Sequence, residues 1–294
     1  MKGARYVSLL TVLFVFATGC SEGPSTALPA AGVRVFDSTV HSTILGRNLP
    51  IRIAMPEHIA PGEKLPVVYL LHGYASNYTS FSSWSATDAD LVPHGYILAM
   101  PEDPSGFYLN QRASNGRYED YFLTEVIPAV SKLVPEAEND PAHRAVVGMS
   151  RGGYGAISIA LRHPGTFAFA GGLNSALDIS TRPFIWTELR ESMRTNEALG
   201  KPGSKLRHKY DPFTLIRQAS PSQAPFLFMA WSNDDDDNDD DKAFAAELTR
   251  RGFRHTVATV PGKHTWDATS LMMPELAQSL DACFHPAQPT SAAR

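Results

Sequence analysis

Gly148-Met149-Ser150-Arg151-Gly152-Gly153 sets a serine two residues after one glycine and two before another, the G-x-S-x-G spacing of a nucleophilic serine. The chemistry this serves is acyl transfer through a serine ester. A serine hydroxyl alone is a weak nucleophile, so the motif requires a base, an acid that orients the base, and two N–H donors for the oxyanion, with the acid and then the histidine later in the chain. Asp234 and His264 stand in that order. The backbone N–H of Arg151 follows the serine, and the N–H of Tyr74, after the apolar run ending in His72-Gly73, is the second donor. His72 precedes the nucleophile and reads as a brace for its loop, since His264 already supplies the base.

These residues need a scaffold that brings them to one place. His143 to Val147 is a short run ending in the β-branched pair Val146-Val147, as expected of a buried parallel strand, and Tyr154 to His163 carries apolar residues at helical spacing before Pro164-Gly165. The serine therefore sits on a sharp strand-to-helix turn, where Gly148 and Gly152 leave room for close chain passage; a bare glycine-rich turn with an incidental serine lacks these flanks. Pro225 to Trp231 reads as another buried strand followed by Ser232-Asn233-Asp234, and Arg254 to Val260 as the last, followed by the loop that holds His264. In open α/β sheets, ligands and catalytic groups collect at such carboxyl ends.

Strand and helix signals alternate along the chain, which predicts an α/β fold with a mostly parallel sheet covered on both faces. Val33 to Val40 and Leu49 to Met55 read as an opening antiparallel pair. Val67 to Leu71, Tyr96 to Met100, Ala145 to Met149, Phe167 to Gly171, Phe226 to Trp231 and His255 to Val260 complete the predicted sheet. Tyr118 to Val134, Tyr154 to His163, Lys242 to Arg251 and Trp266 to Leu280 are the predicted helices. Between Leu173 and Ser220 the pattern is irregular, with a basic cluster from Lys201 to Lys209, and this excursion is expected to cover part of an acyl pocket. Tyr74, Trp84, Phe107, Tyr108, Asn174 and Trp186 are candidate substrate contacts, weighed against ordinary core packing.

Leu65 to Asn77, Arg117 to Val130 and Gly148 to Pro164 together resemble the putative esterase family, which includes esterase D, tributyrin esterases, feruloyl esterases and the antigen 85 mycolyltransferases. The similarity runs from about Asp37 to Leu280 and is strongest to the tributyrin esterase branch. It implies an α/β-hydrolase fold without a large lid domain, with Ser150, Asp234 and His264 at the family's catalytic positions. Two departures stand out. Trp231-Ser232-Asn233-Asp234 replaces the usual Gly-Thr-x-Asp and runs straight into Asp235, Asp236 and Asp237, which leaves the register of the acid open by one or two residues. Arg151 stands where many relatives carry methionine, a change expected to bear on acyl preference.

The 294 residues, 43% of them hydrophobic, suffice for one enzyme domain, expected over residues 33–284 with a disordered tail at 285–294. The net charge of −4 arises from seven aspartates between Asp234 and Asp241, without which the balance would be +3. No basic stripe marks a nucleic-acid partner. Asp236, Asn238, Asp240 and Glu247 occupy four EF-hand positions, but Asp241 stands where the calcium loop turns on glycine, so the run reads as a solvated loop. No metal or other cofactor is expected.

Lys2 and Arg5 precede the apolar run Tyr6 to Ala17, and Thr18-Gly19-Cys20 follows, which reads as an export signal over residues 1–19. Ala17 to Cys20 resembles a bacterial lipoprotein box, with Cys20 as the acylated residue, residues 20–32 as tether and the membrane as partner; plain signal cleavage is the alternative. Cys283 is then left without an intrachain partner, and no structural disulfide is expected. The function expected is an exported serine carboxylesterase for short-chain esters. Feruloyl or acetyl esterase action on plant polysaccharide, acyl transfer of the antigen 85 type and a non-catalytic binding role are the alternatives.

Overall fold

A computed structural model describes residues 30–112 and 116–285. The leader, Cys20 and the tail beyond residue 285 lie outside the described residues.

Eight strands form one sheet: β1 Val33–Ser42, β2 Arg47–Pro56, β3 Val67–Leu71, β4 Ile97–Pro101, β5 Arg144–Met149, β6 Phe169–Leu173, β7 Phe226–Ser232 and β8 His255–Val260. Their order is β1-β2-β4-β3-β5-β6-β7-β8. β2 runs antiparallel to both β1 and β4, and all remaining neighbours pair in parallel. Every residue of β3, β4 and β6 is buried, as parallel strands covered on both faces require. Alternate side chains divide between the two layers. Val67, Tyr69 and Leu71 join Tyr154 and Ile157 on one face, while Val68 and Leu70 join Met272 and Leu276 on the other. This is the expected mostly parallel sheet with helices on both faces.

Parallel pairing puts the carboxyl ends of β3, β5, β6, β7 and β8 along one edge. Leu71, Met149, Leu173, Ser232 and Val260 end there, and the segments that follow them build the site.

Besides the short helices Ser80–Trp84 and Thr87–Leu91, which no sequence signal marked, two departures from the expected helices stand out. Tyr118 to Val134 was expected as one helix, but a π turn at Phe122–Val126 separates Tyr118–Tyr121 from Ile127–Leu133. Pro128 explains the break, because it has no N–H to donate and its ring collides with the carbonyl four residues back. Glu125 in that turn accepts from the N–H groups of Thr43 and Ile44 and from the hydroxyls of Ser42 and Thr43, tying it to the β1–β2 turn.

The irregular stretch after β6 contains the helices Leu189–Leu199, Lys205–Lys209 and Pro212–Gln218. Its basic cluster is partly structural. Arg207 is buried and donates to the carbonyls of Gly200, Ile179 and Arg182 and to Asn196 Oδ1, stitching the excursion together.

Candidate active site

Ser150 follows β5 and opens the helix Arg151–Arg162 with φ 57° and ψ −120°, a conformation that costs an L-residue of the order of 1–3 kcal/mol. Three contacts hold it there. Its N–H donates to Leu173 O at 2.9 Å, and its carbonyl accepts from Tyr154 N and Ala176 N, each at 3.1 Å. Close passage of the chain does the rest: a Cβ on Gly148 would fall 2.1 Å from Gly152 O, and one on Gly152 would fall 2.0 Å from Leu71 O. Among the described residues the non-glycine positions with positive φ are Ala75, Tyr108, Ser150 and Asn174. Ala75 and Asn174 each adjoin residues of the cleft, so the strained backbone gathers around the serine.

Ser150 lines a cleft of about 400 Å³ together with Gly73, Tyr74, Arg151, Ser175 and His264. Arg151 is the first helical residue, so its N–H has no acceptor within the helix, and the helix dipole adds positive charge at that end. Tyr74 follows the β3 turn, where a Cβ on Gly73 would press on the Ser150 side chain at 3.0 Å. Tyr74 and Arg151 thus both line the cleft beside Ser150.

His264 lies on the loop after β8, beside Thr265, whose Oγ1 caps the last helix, Trp266–Phe284, by accepting from Ala268 N. His264 Nδ1 is 2.8 Å from Asp235 Oδ2, and Asp235 is largely shielded from solvent. Asp234, expected as the histidine's partner, is instead tied to the loop backbone: its N–H donates to Gly262 O at 2.9 Å, and its Oδ2 accepts from Gly262 N at 3.1 Å. The aspartate that pairs with His264 is therefore one residue further on. Asp234 fastens the β7 and β8 loops, which turns Asp235 toward the imidazole.

The aspartate run is only in part the solvated loop expected: Asp234, Asp236, Asp237 and Asp239 are exposed, but its end turns inward. Asp241 is fully buried, and its Oδ2 accepts from Ser175 N at 2.9 Å beneath the cleft. Burial, with Asp240 alongside, raises its pKa well above the carboxylate range. Asp240 is pushed up to about 6 by burial and by the charge of Asp178. Asn238 is buried and donates to Ser232 O, and Asp239–Arg251 is a helix, so the residues that fitted an EF-hand pattern do not form its loop. Among the described residues no three His, Cys, Asp or Glu side chains converge as metal ligands.

The expected substrate contacts fare differently. Tyr74 lines the cleft. Trp84 packs edge-on against Trp266, and it is Trp266 that reaches the cleft. Tyr108 is buried, donating from its hydroxyl to Pro101 O and accepting from His72 N. Phe107 is buried under Arg151. Asn174 bridges to Ser232 through its side chain, and its successors Ser175 and Ala176 line the cleft in its place. Trp186 is 79% exposed with its ring against Phe184, outside the cleft. For Tyr74, Trp84, Phe107, Tyr108 and Trp186 the sequence signal is aromatic residue type alone, which does not separate packing from lining. The polar lining from Ser76, Arg182, Glu191 and Asp237 went unforeseen, because no motif marks it. His72 is a brace as expected: it is buried, its Nδ1 is 2.9 Å from Gly73 O, and Glu102 Oε1 lies 3.5 Å from its Nε2.

A family model described as putative esterase matches residues 42–280. An acetyl esterase of Caldicellulosiruptor saccharolyticus is 22% identical over 241 residues, spanning 77% of this chain and 90% of that protein. The diacylglycerol acyltransferase/mycolyltransferase Ag85A of Mycobacterium gordonae is 28% identical over 191 residues, 61% of this chain and 53% of that protein, so the match spans about half the length of Ag85A. Among solved structures, the fluorophosphonate-binding serine hydrolase FphF of Staphylococcus aureus superposes with a TM-score of 0.73 at 21% identity, covering 84% of this chain and 98% of that one. The match over most of the chain, joined to the eight-stranded sheet, shows that the chain belongs to the putative esterase family and is a carboxylic ester hydrolase of the α/β-hydrolase fold.

Proposed function

We propose that this is a serine carboxylesterase for short-chain acyl esters, acting through a covalent acyl-enzyme. The observation that carries the reading is the pairing of His264 with Asp235 in the same cleft as a strained Ser150. In this mechanism His264 takes the Ser150 proton as Oγ attacks the ester carbonyl, and Asp235 holds the imidazole tautomer and stabilises its charged form. The N–H groups of Tyr74 and Arg151 receive the oxyanion. The collapsing intermediate expels the alcohol, which takes the proton from His264. Water then repeats the sequence on the acyl-enzyme and releases the acid. None of these steps requires a cofactor.

Likeness to an acetyl esterase supports a small acyl group. Hydrolysis is favoured over acyl transfer by access, since His264 is 37% exposed and water can reach the acyl-enzyme. The N-terminal charge and apolar pattern supports export, with Cys20 as the lipidated anchor to the membrane. The deciding assay is hydrolysis of p-nitrophenyl esters from acetate to octanoate by the protein from Ser21 onward, with Ser150→Ala as control. Activity that falls with chain length and disappears in the variant supports the reading. Folded protein inert toward every ester defeats it.

A further inference from the structure

The Arg151 side chain, next to the nucleophile, is held more tightly than a packing role requires. It is 2% exposed, and its guanidinium carbon lies 4.3 Å from the centre of the Tyr74 ring and 4.5 Å from that of Phe107. Its Nη2 donates to Glu191 Oε1 at 3.0 Å. Glu191 belongs to the helix Leu189–Leu199, forty residues along the chain, and its Oε1 is also 4.0 Å from Arg182 Nη1. Arg194 of the same helix lies over the other part of this cluster, 5.2 Å from the Tyr74 ring centre. One carboxylate thus joins the nucleophile turn to the excursion that roofs the cleft.

The arrangement carries an evident cost. Burial works against the Arg151 charge and lowers its pKa, with Glu191 opposing the shift, and its Nε is buried without a hydrogen-bond partner. An apolar chain of similar length would fill the slot between two aromatic rings without either penalty. Retention of a charged group at this price points to a use in the cleft that both Arg151 and Glu191 line.

We propose that Arg151, latched by Glu191, is the specificity-determining residue that closes the acyl side of the cleft and confines the enzyme to acyl groups of a few carbons. The inference rests on the esterase reading. A bound ester turns its leaving oxygen toward His264 and its carbonyl oxygen toward the Tyr74 and Arg151 N–H groups. The acyl chain is left the space in front of the Arg151 side chain. The buried guanidinium, held by Glu191 behind the cleft wall, fills the volume a longer chain would need, so each further methylene finds no apolar pocket and loses the transfer energy such a pocket would return. The backbone N–H of Arg151 serves the oxyanion whatever side chain is present, so chain-length preference can be changed separately from the chemistry.

The test measures kcat/KM for p-nitrophenyl acetate, butyrate, hexanoate and octanoate with the unmodified enzyme, Arg151→Met, Arg151→Ala and Glu191→Gln, with thermal melting to confirm folding. The quantity read is the octanoate-to-acetate ratio, which needs no variant to keep full activity. In the unmodified enzyme the ratio is expected well below one, and in Arg151→Met or Arg151→Ala it is expected to rise by about tenfold or more. Glu191→Gln, which frees the guanidinium without removing it, is expected to give a smaller rise. Arg151→Met retains bulk and keeps the test open if the alanine variant does not fold. An unchanged ratio in active Arg151 variants, or an unmodified enzyme that already prefers octanoate, overturns the assignment and leaves the esterase reading standing. An unmodified enzyme inert on all four esters overturns the esterase reading itself, and with it this inference.

Discussion

His264 Nδ1 lies 2.8 Å from Asp235 Oδ2, while the neighbouring Asp234 spends both its N–H and its carboxylate on Gly262. Two adjacent aspartates thus divide orientation of the base from anchorage of its loop. Asp235→Asn should leave the fold intact and lower kcat by about 10⁴, since the amide stabilises the wrong tautomer and cannot stabilise the imidazolium. Asp234→Asn should change kcat by only a few-fold and lower the melting temperature, because Asn keeps an acceptor for Gly262 N but weakens a charge-assisted bond. Steady-state kinetics on p-nitrophenyl acetate separates them; a larger loss for Asp234→Asn would move the orienting role back one residue.

The division explains what the sequence could and could not reveal. G-x-S-x-G announces Ser150 because the turn it needs admits few residue types, and His264 follows from its place after the last strand. The acid sits in a run of identical side chains, where residue type carries no information. Its identity depends on how the β7 and β8 ends pair, with Asn233 N donating to Val260 O and Asp234 N to Gly262 O. The strands were legible because buried parallel strands are continuous apolar runs. β6 begins two residues later than expected, at Phe169, since Phe167 is as apolar as the strand itself and marks no boundary. Arg207 reads as a surface cation by composition and is a buried staple by contact. The cleft walls were illegible for a like reason: Glu191 and Arg182 meet only after the excursion folds back over the sheet.

Gly148 and Gly152 should tolerate no side chain. The atoms a Cβ would strike are backbone carbonyls 2.1 and 2.0 Å away, which no rotamer change relieves. Gly148→Ala and Gly152→Ala are expected to yield little folded protein, or protein inactive on esters. Gly203, with φ +77° and nothing within 4 Å of its would-be Cβ, is the control. Gly203→Ala should cost about 1 kcal/mol, the strain of a left-handed alanine. Comparing soluble yield and melting temperature across the three variants tests whether close approach, rather than backbone conformation alone, sets the requirement.

Asp240 is half-buried near Asp178, and desolvation and that charge push its pKa up to about 6, against 3.8 when unfolded. Its folded pKa is raised, so protonation favours the native state: the contribution is fully present below about pH 3.8 and is lost as pH rises through about 6. At neutral pH the charge therefore works against the fold. Asp240→Asn preserves an acceptor for Asp178 N, which now bonds Asp240 Oδ2 at 3.0 Å. The variant should be more stable at pH 7.5 by about 1–2 kcal/mol, a gain reduced by the loss of a negative charge in the first turn of a helix, and the gain should disappear near pH 4. Urea unfolding at the two pH values measures this; an equal effect at both would place the origin in packing.

Glu119 behaves in the opposite sense. Its Oε1 accepts from Arg162 Nε and faces His163 Nε2, each at 2.8 Å, and its Oε2 accepts from the Tyr210 hydroxyl at 2.5 Å. Burial alone would raise its pKa, but the His163, Arg162 and Tyr210 hydrogen bonds win and bring it down to about 2. A depressed folded value stabilises the protein above the unfolded pKa of 4.5, and that contribution is lost as pH falls from there toward about 2. The carboxylate joins three parts of the chain: the helix Tyr118–Tyr121, the end of the helix that Ser150 opens, and Tyr210, which follows the helix Lys205–Lys209 of the excursion roofing the cleft. Glu119→Gln should cost about 3 kcal/mol at pH 7 and progressively less below pH 4. Because the link reaches the roof and not the reacting groups, the loss should appear in melting temperature before it appears in kcat at 25 °C. A variant that melts normally but has lost ester hydrolysis would mean that Glu119 acts on the site directly.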